Sequence, residues 1–233
     1  MKDRKIKLGL LGASGKMGVE IERLLSDPRF MTRLERVAAP GRGESLASLF
    51  TADILIEFSS PTAALALVRE SIRRGSKAPV ILGTTGWTDR ELNEIKLAAE
   101  KMPILRSSNY SLGVQICRMT LKAWGGRSEL ADWKVTIRDL HHTEKKDAPS
   151  GTALALREAL GALGKDATIE SERRGEIIGT HAVSLESAFE KLTLIHEAKS
   201  RSVFAAGALE AALRLVNADA ERLPKRLLGL DDL

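Results

Sequence analysis

A chain of 233 residues is long enough for one large or two modest domains, and 43% hydrophobic with 29% charged residues is the composition of a folded globular protein, which excludes general disorder. The net charge of +5 comes from 36 basic and 31 acidic residues that are interspersed, and only 4% of residues are aromatic, so the basic blocks and stacking platforms of a nucleic-acid binder are missing. No stretch is apolar for the roughly eighteen residues that a membrane helix needs, the amino terminus has no signal-peptide profile, and Cys117 has no partner for a disulfide, so a cytoplasmic protein without membrane contact is expected.

Ile6 to Leu11 has the length and apolarity of a buried parallel strand. It stops at Gly12-Ala13-Ser14-Gly15-Lys16-Met17-Gly18, after which Met17, Ile21, Leu24 and Leu25 share one helical face until Asp27-Pro28. Strand, glycine turn, helix is the setting in which backbone N–H groups at a helix start meet a pyrophosphate. The spacing is G-x-x-G-x-x-G rather than G-x-G-x-x-G, and the alternative is a tight turn that only packs the helix closely.

The second strand, Arg36 to Ala39, leads into Pro40-Gly41-Arg42-Gly43-Glu44. An acid that would hold the ribose hydroxyls of NAD is missing at this tip, and Arg42 is a candidate partner for a 2'-phosphate. That favours NADPH, while the nearby Glu44 keeps NADH open. Asp53 to Phe58 reads as a third strand, and Ser59-Ser60-Pro61 opens a helix through Ala64, Leu67, Val68 and Ile72. Pro79 to Leu82 is a fourth strand, closed by Gly83-Thr84-Thr85-Gly86-Trp87. Thr88 and Glu91 form a capping box for a helix reaching about Met102. Pro103 to Arg106 is a fifth strand, followed by Ser107-Ser108-Asn109-Tyr110-Ser111. Such alternation implies an α/β fold, a Rossmann-type doubly wound parallel sheet with its ligands at the carboxyl ends of the strands. Each polar cluster falls at such an end.

After Tyr110 the pattern changes. Leu112 to Trp124 reads as a helix, Trp133 to Leu140 alternates like a half-buried strand, and a helix runs from about Ser150 to Leu163. Residues 167–198 are mostly strand, with turns at Gly175 and Gly179, and Ser200 or Ser202 starts a last helix. Strands without intervening helices imply an α+β domain with an open, mixed sheet that packs against another subunit. The expected division is a dinucleotide-binding domain of residues 1–111 with 209–233, and a substrate-binding and oligomerisation domain of residues 112–208. The tail from Leu223 is expected to return to the first domain.

Between strand and helix stands His141-His142-Thr143-Glu144-Lys145-Lys146-Asp147-Ala148-Pro149-Ser150-Gly151-Thr152. Imidazoles titrate near neutrality, a lysine ammonium can stabilise charge, and Ser150-Gly151-Thr152 at a helix start offers hydroxyls and free N–H groups to an acid. The stretch therefore reads as a carboxylate-binding acid/base site, with a solvated polar loop as the alternative. His181 and His196 stand alone in strand-like contexts and read as structural, although His181 could border the substrate basin. No metal site is expected, because adjacent His141 and His142 cannot easily share one ion and no other group has ligand spacing.

These motifs together, with Glu57-Phe58-Ser59, Gly83 to Gly86, Ser108 to Ser111 and above all the H-H-x-x-K-x-D-A-P-S-G-T string, resemble the dihydrodipicolinate reductase family of the diaminopimelate and lysine pathway. The similarity runs from Ile6 to about Leu215. It implies reduction of a small, cyclic, unsaturated dicarboxylate by NADPH or NADH in a homotetramer. Carried over by position, Gly12, Ala13, Ser14, Gly15, Lys16 and Met17 would cradle the pyrophosphate. Gly83, Thr84 and Thr85 with Ser108, Asn109, Tyr110 and Ser111 would line the nicotinamide side, and Phe58 would lie beside the cofactor. His141 and Lys145 would be the catalytic proton donors, and His142, Gly151 and Thr152, together with Ser150, the contacts to substrate carboxylate. The chain is shorter than the family pattern near residues 40–52, and the residue reading the adenosine ribose is not the usual acid. Rival readings are another two-domain dehydrogenase acting on amino or keto acids, and a nucleotide-sensing module without chemistry.

Overall fold

The computed structural model describes residues 4–218 and 223–233. In chain order these form β1 (Ile6–Leu11), α1 (Lys16–Leu24), α2 (Pro28–Met31), β2 (Leu34–Ala38), β3 (Ile54–Glu57), α3 (Pro61–Arg73), β4 (Val80–Leu82), α4 (Asp89–Ala99), β5 (Ile104–Arg106), α5 (Leu112–Gly125), β6 (Lys134–His141), α6 (Gly151–Ala159), β7 (Thr168–Arg173), β8 (Thr180–Glu186), β9 (Lys191–Glu197) and α7 (Ser202–Asn217). They divide into two compact units, residues 1–110 with 204–233, and residues 111–203. Among the described residues, no helix is long and apolar enough to cross a membrane.

The first unit is built on a five-stranded sheet in the order β2-β1-β3-β4-β5, parallel throughout. The central strands β3 and β4 are buried throughout because helices cover both faces, whereas the edge strand β2 exposes Glu35, Arg36 and Val37. Ile54 and Ile56 pack on one side with Leu8, Leu10, Ile21 of α1 and Ala208 and Leu209 of α7. Leu55, Val80 and Leu82 pack on the other with Leu67 and Val68 of α3 and Ile95 of α4. Each fully buried aliphatic side chain contributes on the order of 1.5–3 kcal/mol, so the sheet is held mainly by these two layers. The capping box of Thr88 and Glu91 opens α4 as expected, but the helix ends at Ala99 rather than near Met102. The tail returns as expected: Leu228 bridges Leu105 in parallel, with its N–H on the Ile104 carbonyl at 2.9 Å. Helix α7 enters this unit at Phe204 rather than at 209, because Ala205 already faces the core shared with Leu209.

The second unit carries a four-stranded mixed sheet, β7-β6-β8-β9, in which β6 and β7 run parallel and the other pairs antiparallel. Period-two alternation along β6 buries Val135, Ile137, Asp139 and His141 and exposes Lys134 and Arg138. The buried face packs against Cys117 and Leu121 of α5 and Leu156 of α6. Helix α6 stops at Ala159 rather than Leu163 because Gly161 takes φ +56°, a left-handed turn that ends the α-helix before a 3-10 turn at Gly161–Gly164.

Candidate active site

At the carboxyl end of β1, Gly12 turns the chain with φ +93°, and a Cβ there would lie 2.3 Å from the Phe58 carbonyl oxygen. A Cβ on Gly18 would fall 2.2 Å from the Gly12 carbonyl oxygen, so glycine at both positions lets α1 start hard against the turn. Gly15 caps α1 without any side-chain hydrogen bond, leaving first-turn N–H groups for an outside acceptor. Ser14 and Lys16 are exposed beside them, whereas Ala13 and Met17 pack against the core. These are the features a pyrophosphate requires, and the residues present fit a dinucleotide.

The neighbouring strand ends are tied together by Glu57. Its Oε1 accepts from the Ser59 N–H (2.5 Å), the Ser59 hydroxyl (2.6 Å) and the Thr84 hydroxyl (2.7 Å), while Oε2 is buried without a partner. Burial pushes the Glu57 carboxyl above its ordinary range, opposed by the hydrogen bonds from Ser59 and Thr84. The Thr84 hydroxyl is thus spent inside the fold, and Thr85 is the exposed member of the pair. The Phe58 ring occupies the space of the absent side chain at Gly83, whose Cβ would lie 2.0 Å from Cε1. Tyr110 is buried edge-on to Phe58, with its hydroxyl donating to the Leu82 carbonyl at 2.8 Å. Ser107 and Asn109 close a turn on each other and Ser108 is exposed. Ser111 belongs to the second unit, where it caps α5 with its hydroxyl 3.0 Å from His196 Nε2. Arg42 is exposed on its turn, and Glu44 is folded back onto the Gly41 N–H at 2.8 Å.

In the second unit the centre of the cluster is a residue the sequence reading passed over. Asp139 is fully buried two positions before His141 on β6, so both point to the same face. Its Oδ2 accepts from the Ser150 N–H (2.8 Å), the Ser171 hydroxyl (3.2 Å) and Arg173 Nη2 (3.0 Å). Its Oδ1 accepts from the Ser150 hydroxyl (2.7 Å) and faces His141 Nδ1 at 3.0 Å and His181 Nε2 at 3.3 Å. Despite that proximity, His141 Nδ1 is buried and makes no hydrogen bond of good geometry. Burial opposes ionisation of Asp139, but the donors His141, His181 and Ser150 together outweigh it and hold the carboxyl well below its usual range.

His181 is therefore not isolated, as its lone place in the sequence implied. Its Nε2 also lies 3.2 Å from the Ser150 hydroxyl, and its ring meets that of His141 edge-on at 5.1 Å. His196 likewise has a partner in Ser111. The sequence did hold a signal for Asp139: an acid at a buried position of an alternating strand, in register with His181 on β8. Ligand atoms of Asp139, His141 and His181 lie within 4.8 Å of one another, but the carboxylate already has a cation in Arg173 and donors in Ser150, so the group is a hydrogen-bonded network.

The remaining residues of the stretch follow from this anchor. Arg173 also donates to the Asp147 carbonyl at 2.5 Å, which fastens the loop to β7. Lys145 lies in that loop with Nζ 2.7 Å from Asp147 Oδ1, and His142 is half-buried. The Ser150 hydroxyl is spent on Asp139 and on capping α6 at the Ala153 N–H (3.1 Å); Gly151 is exposed, with its backbone also bonding Asp147, and Thr152 is half-buried.

A parallel sheet bearing a glycine turn, joined to a second unit with a buried acid/base cluster, defines a nicotinamide-dependent oxidoreductase of the two-unit kind. The chain belongs to the dihydrodipicolinate reductase family: residues 6–110 match the family model described as dihydrodipicolinate reductase, N-terminus, and residues 113–233 the one described as its C-terminus. Its relatives include the 4-hydroxy-tetrahydrodipicolinate reductases of Bdellovibrio bacteriovorus, 38% identical over 91% of each chain, and of Caulobacter vibrioides, 36% identical over 89% of this chain and 91% of the relative. Among solved structures, a dipicolinate-bound dihydrodipicolinate reductase from Paenisporosarcina sp. TG-14 shares the fold, with a TM-score of 0.76 at 20% identity over 98% of this chain and 99% of that one. A probable dehydrogenase from Thermotoga maritima aligns with a TM-score of 0.61 at 10% identity, covering 97% of this chain and 92% of that one, so the architecture by itself does not select a substrate.

Proposed function

We propose that this protein is a 4-hydroxy-tetrahydrodipicolinate reductase, which uses NADPH or NADH to form tetrahydrodipicolinate in cytoplasmic diaminopimelate and lysine biosynthesis. The observation that carries this reading is the placing of His141, Lys145 and the start of α6 around one loop held by Asp139 and Arg173. The α6 N-terminus receives a substrate carboxylate at the Gly151 and Thr152 backbone, with His142 beside the loop. Bound NAD(P)H supplies the hydride. With the 4-hydroxyl lost as water to leave a conjugated imine, the hydride adds at that carbon, the electron pair then delocalised through the imine takes up a proton, and His141 and Lys145 are the groups that hold one. Phe58 and Gly83 form the flat surface on the nicotinamide side.

Arg42 supports NADPH as the preferred cofactor, since it is free to reach a 2'-phosphate while Glu44 is taken up by its own turn. The uncovered face of the second sheet, where Ile195 is 62% exposed, supports assembly into a homotetramer. The test is turnover: purified protein should oxidise NADPH only when the freshly made cyclic diacid precursor is present. Equal turnover of 2-keto acids would select a different dehydrogenase, and cofactor binding without turnover would select the sensing module.

A further inference from the structure

Asp139 sits where an ionised carboxylate is costly unless every lone pair is met. Its partners come from four separate elements: His141 on β6, Ser171 and Arg173 on β7, His181 on β8 and Ser150 at the start of α6. One carboxylate is therefore shared by the imidazole that faces the reaction and the helix terminus that faces a substrate acid. We propose that Asp139 is a positioning residue for the reduction, fixing the tautomer and direction of His141 and the attitude of the α6 N-terminus before substrate arrives. This rests on the reading of His141 as a proton donor.

Oδ1 can only accept, so it favours the tautomer with the proton on His141 Nδ1 and leaves Nε2 as the working nitrogen. Nε2 is the atom that faces Gly179, where no side chain stands in its way. An asparagine cannot reproduce this arrangement. Its amide nitrogen on the Oδ2 side would confront three donors, from Ser150, Ser171 and Arg173. On the Oδ1 side it would donate to His141 Nδ1, reverse the tautomer and leave Arg173 without its counter-charge.

The experiment is a double-mutant cycle with Asp139→Asn and His141→Gln, measured as kcat and diacid KM, with NADPH Kd by fluorescence titration. Asp139→Asn should lower kcat by about 10² or more and raise diacid KM, while NADPH Kd stays within about twofold, because the cofactor-side residues other than Ser111 lie in the other unit. The double variant should be no slower than His141→Gln alone. A turnover for Asp139→Asn within about threefold of the parent, or losses that multiply in the double variant, would overturn the proposal. A parent-like rate for His141→Gln overturns the proton-donor reading itself, and the single variant identifies that case. Should Asp139→Asn fail to fold, ring-nitrogen NMR of the parent protein decides, with His141 assigned by loss of its signals in His141→Gln. A neutral His141 protonated on Nδ1 supports the proposal, and one protonated on Nε2 overturns it.

Discussion

A Cβ on Gly179 would stand 3.0 Å from Nε2 of His141. The glycine is itself buried, one residue before β8, so the imidazole keeps an open edge only because position 179 has no side chain. Gly179→Ala should push His141 aside by a few tenths of an ångström and lower kcat about tenfold, since small misplacements of a catalytic group are felt strongly. NADPH affinity should be unchanged. Steady-state kinetics check this, and an unaltered kcat would remove the close approach from the account.

Lys145 makes a partly exposed ion pair with Asp147 at 2.7 Å, with side-chain exposures of 24% and 57%. Pairs of this kind contribute about 0–1 kcal/mol, so Lys145 can be surrendered to a substrate carboxylate or ring nitrogen at small expense. Lys145→Ala should lower kcat by about 10²–10⁴ while leaving NADPH Kd nearly intact. Unfolding free energy should shift by no more than about 0.5 kcal/mol, as for other solvent-facing substitutions. A variant that turns over at the parent rate would show that Lys145 holds no proton for the reaction.

Local rules made the first unit legible. The glycine turn after β1, the Ser60-Pro61 start of α3 and the Thr88/Glu91 box each combine a short-range physical cause with a position at a strand or helix end. The second unit was legible as strands but not as a network, because Asp139, Arg173 and His181 come together only through strand register. Nothing local shows that Arg173 lies opposite His141, or that β6 pairs with β7 in parallel. The hydroxyls of Ser150, Thr84 and Tyr110 look like ligand groups in a sequence, yet each is consumed within the fold. Helix α7 joins the first unit early for a comparable reason: the small Ala205 and Ala208 pack there as core, which a pattern search for large apolar residues undervalues.

Glu57 sets a pH dependence with a definite sign. Burial raises its folded pKa, so the native state binds more protons than the unfolded chain in the window above the ordinary glutamate value. Its contribution to stability is fully present below the unfolded pKa and is lost as pH rises through the folded one. Glu57→Gln keeps an acceptor oxygen for Ser59 and Thr84 and removes the ionisation. The variant should be more stable than the parent near neutral pH, with the difference shrinking towards zero below about pH 4. Urea midpoints across the range test this, and a gap that widens in acid would contradict the sign.

On β9, Ile195 faces away from α5 and α6 and is 62% exposed, opposite Ala182 in the register with β8. An exposed apolar side chain on the edge strand of a sheet is the kind of group that a neighbouring subunit buries. For the homotetramer proposed above, Ile195→Lys should give smaller species by light scattering while unit folding, followed by circular dichroism, persists. A mass equal to that of the parent would exclude this face as the subunit contact.

In the proposed reading, cofactor choice turns on the Gly41–Glu44 turn. Glu44 Oε2 is held by the Gly41 N–H at 2.8 Å, which keeps the carboxylate from accepting ribose hydroxyls, while Arg42 beside it is exposed. A guanidinium at this point gains a charge-assisted contact with a 2'-phosphate and nothing comparable from a ribose hydroxyl. Removing it should weaken NADPH by the value of such a contact, about 1.5–3 kcal/mol, or on the order of tenfold to a hundredfold. Arg42→Ala should therefore lower kcat/KM for NADPH by that factor and for NADH by less than about threefold. The ratio of the two constants is the quantity to follow, since a general loss of folding would lower both alike. A ratio equal to that of the parent would exclude Arg42 as the residue that reads the phosphate.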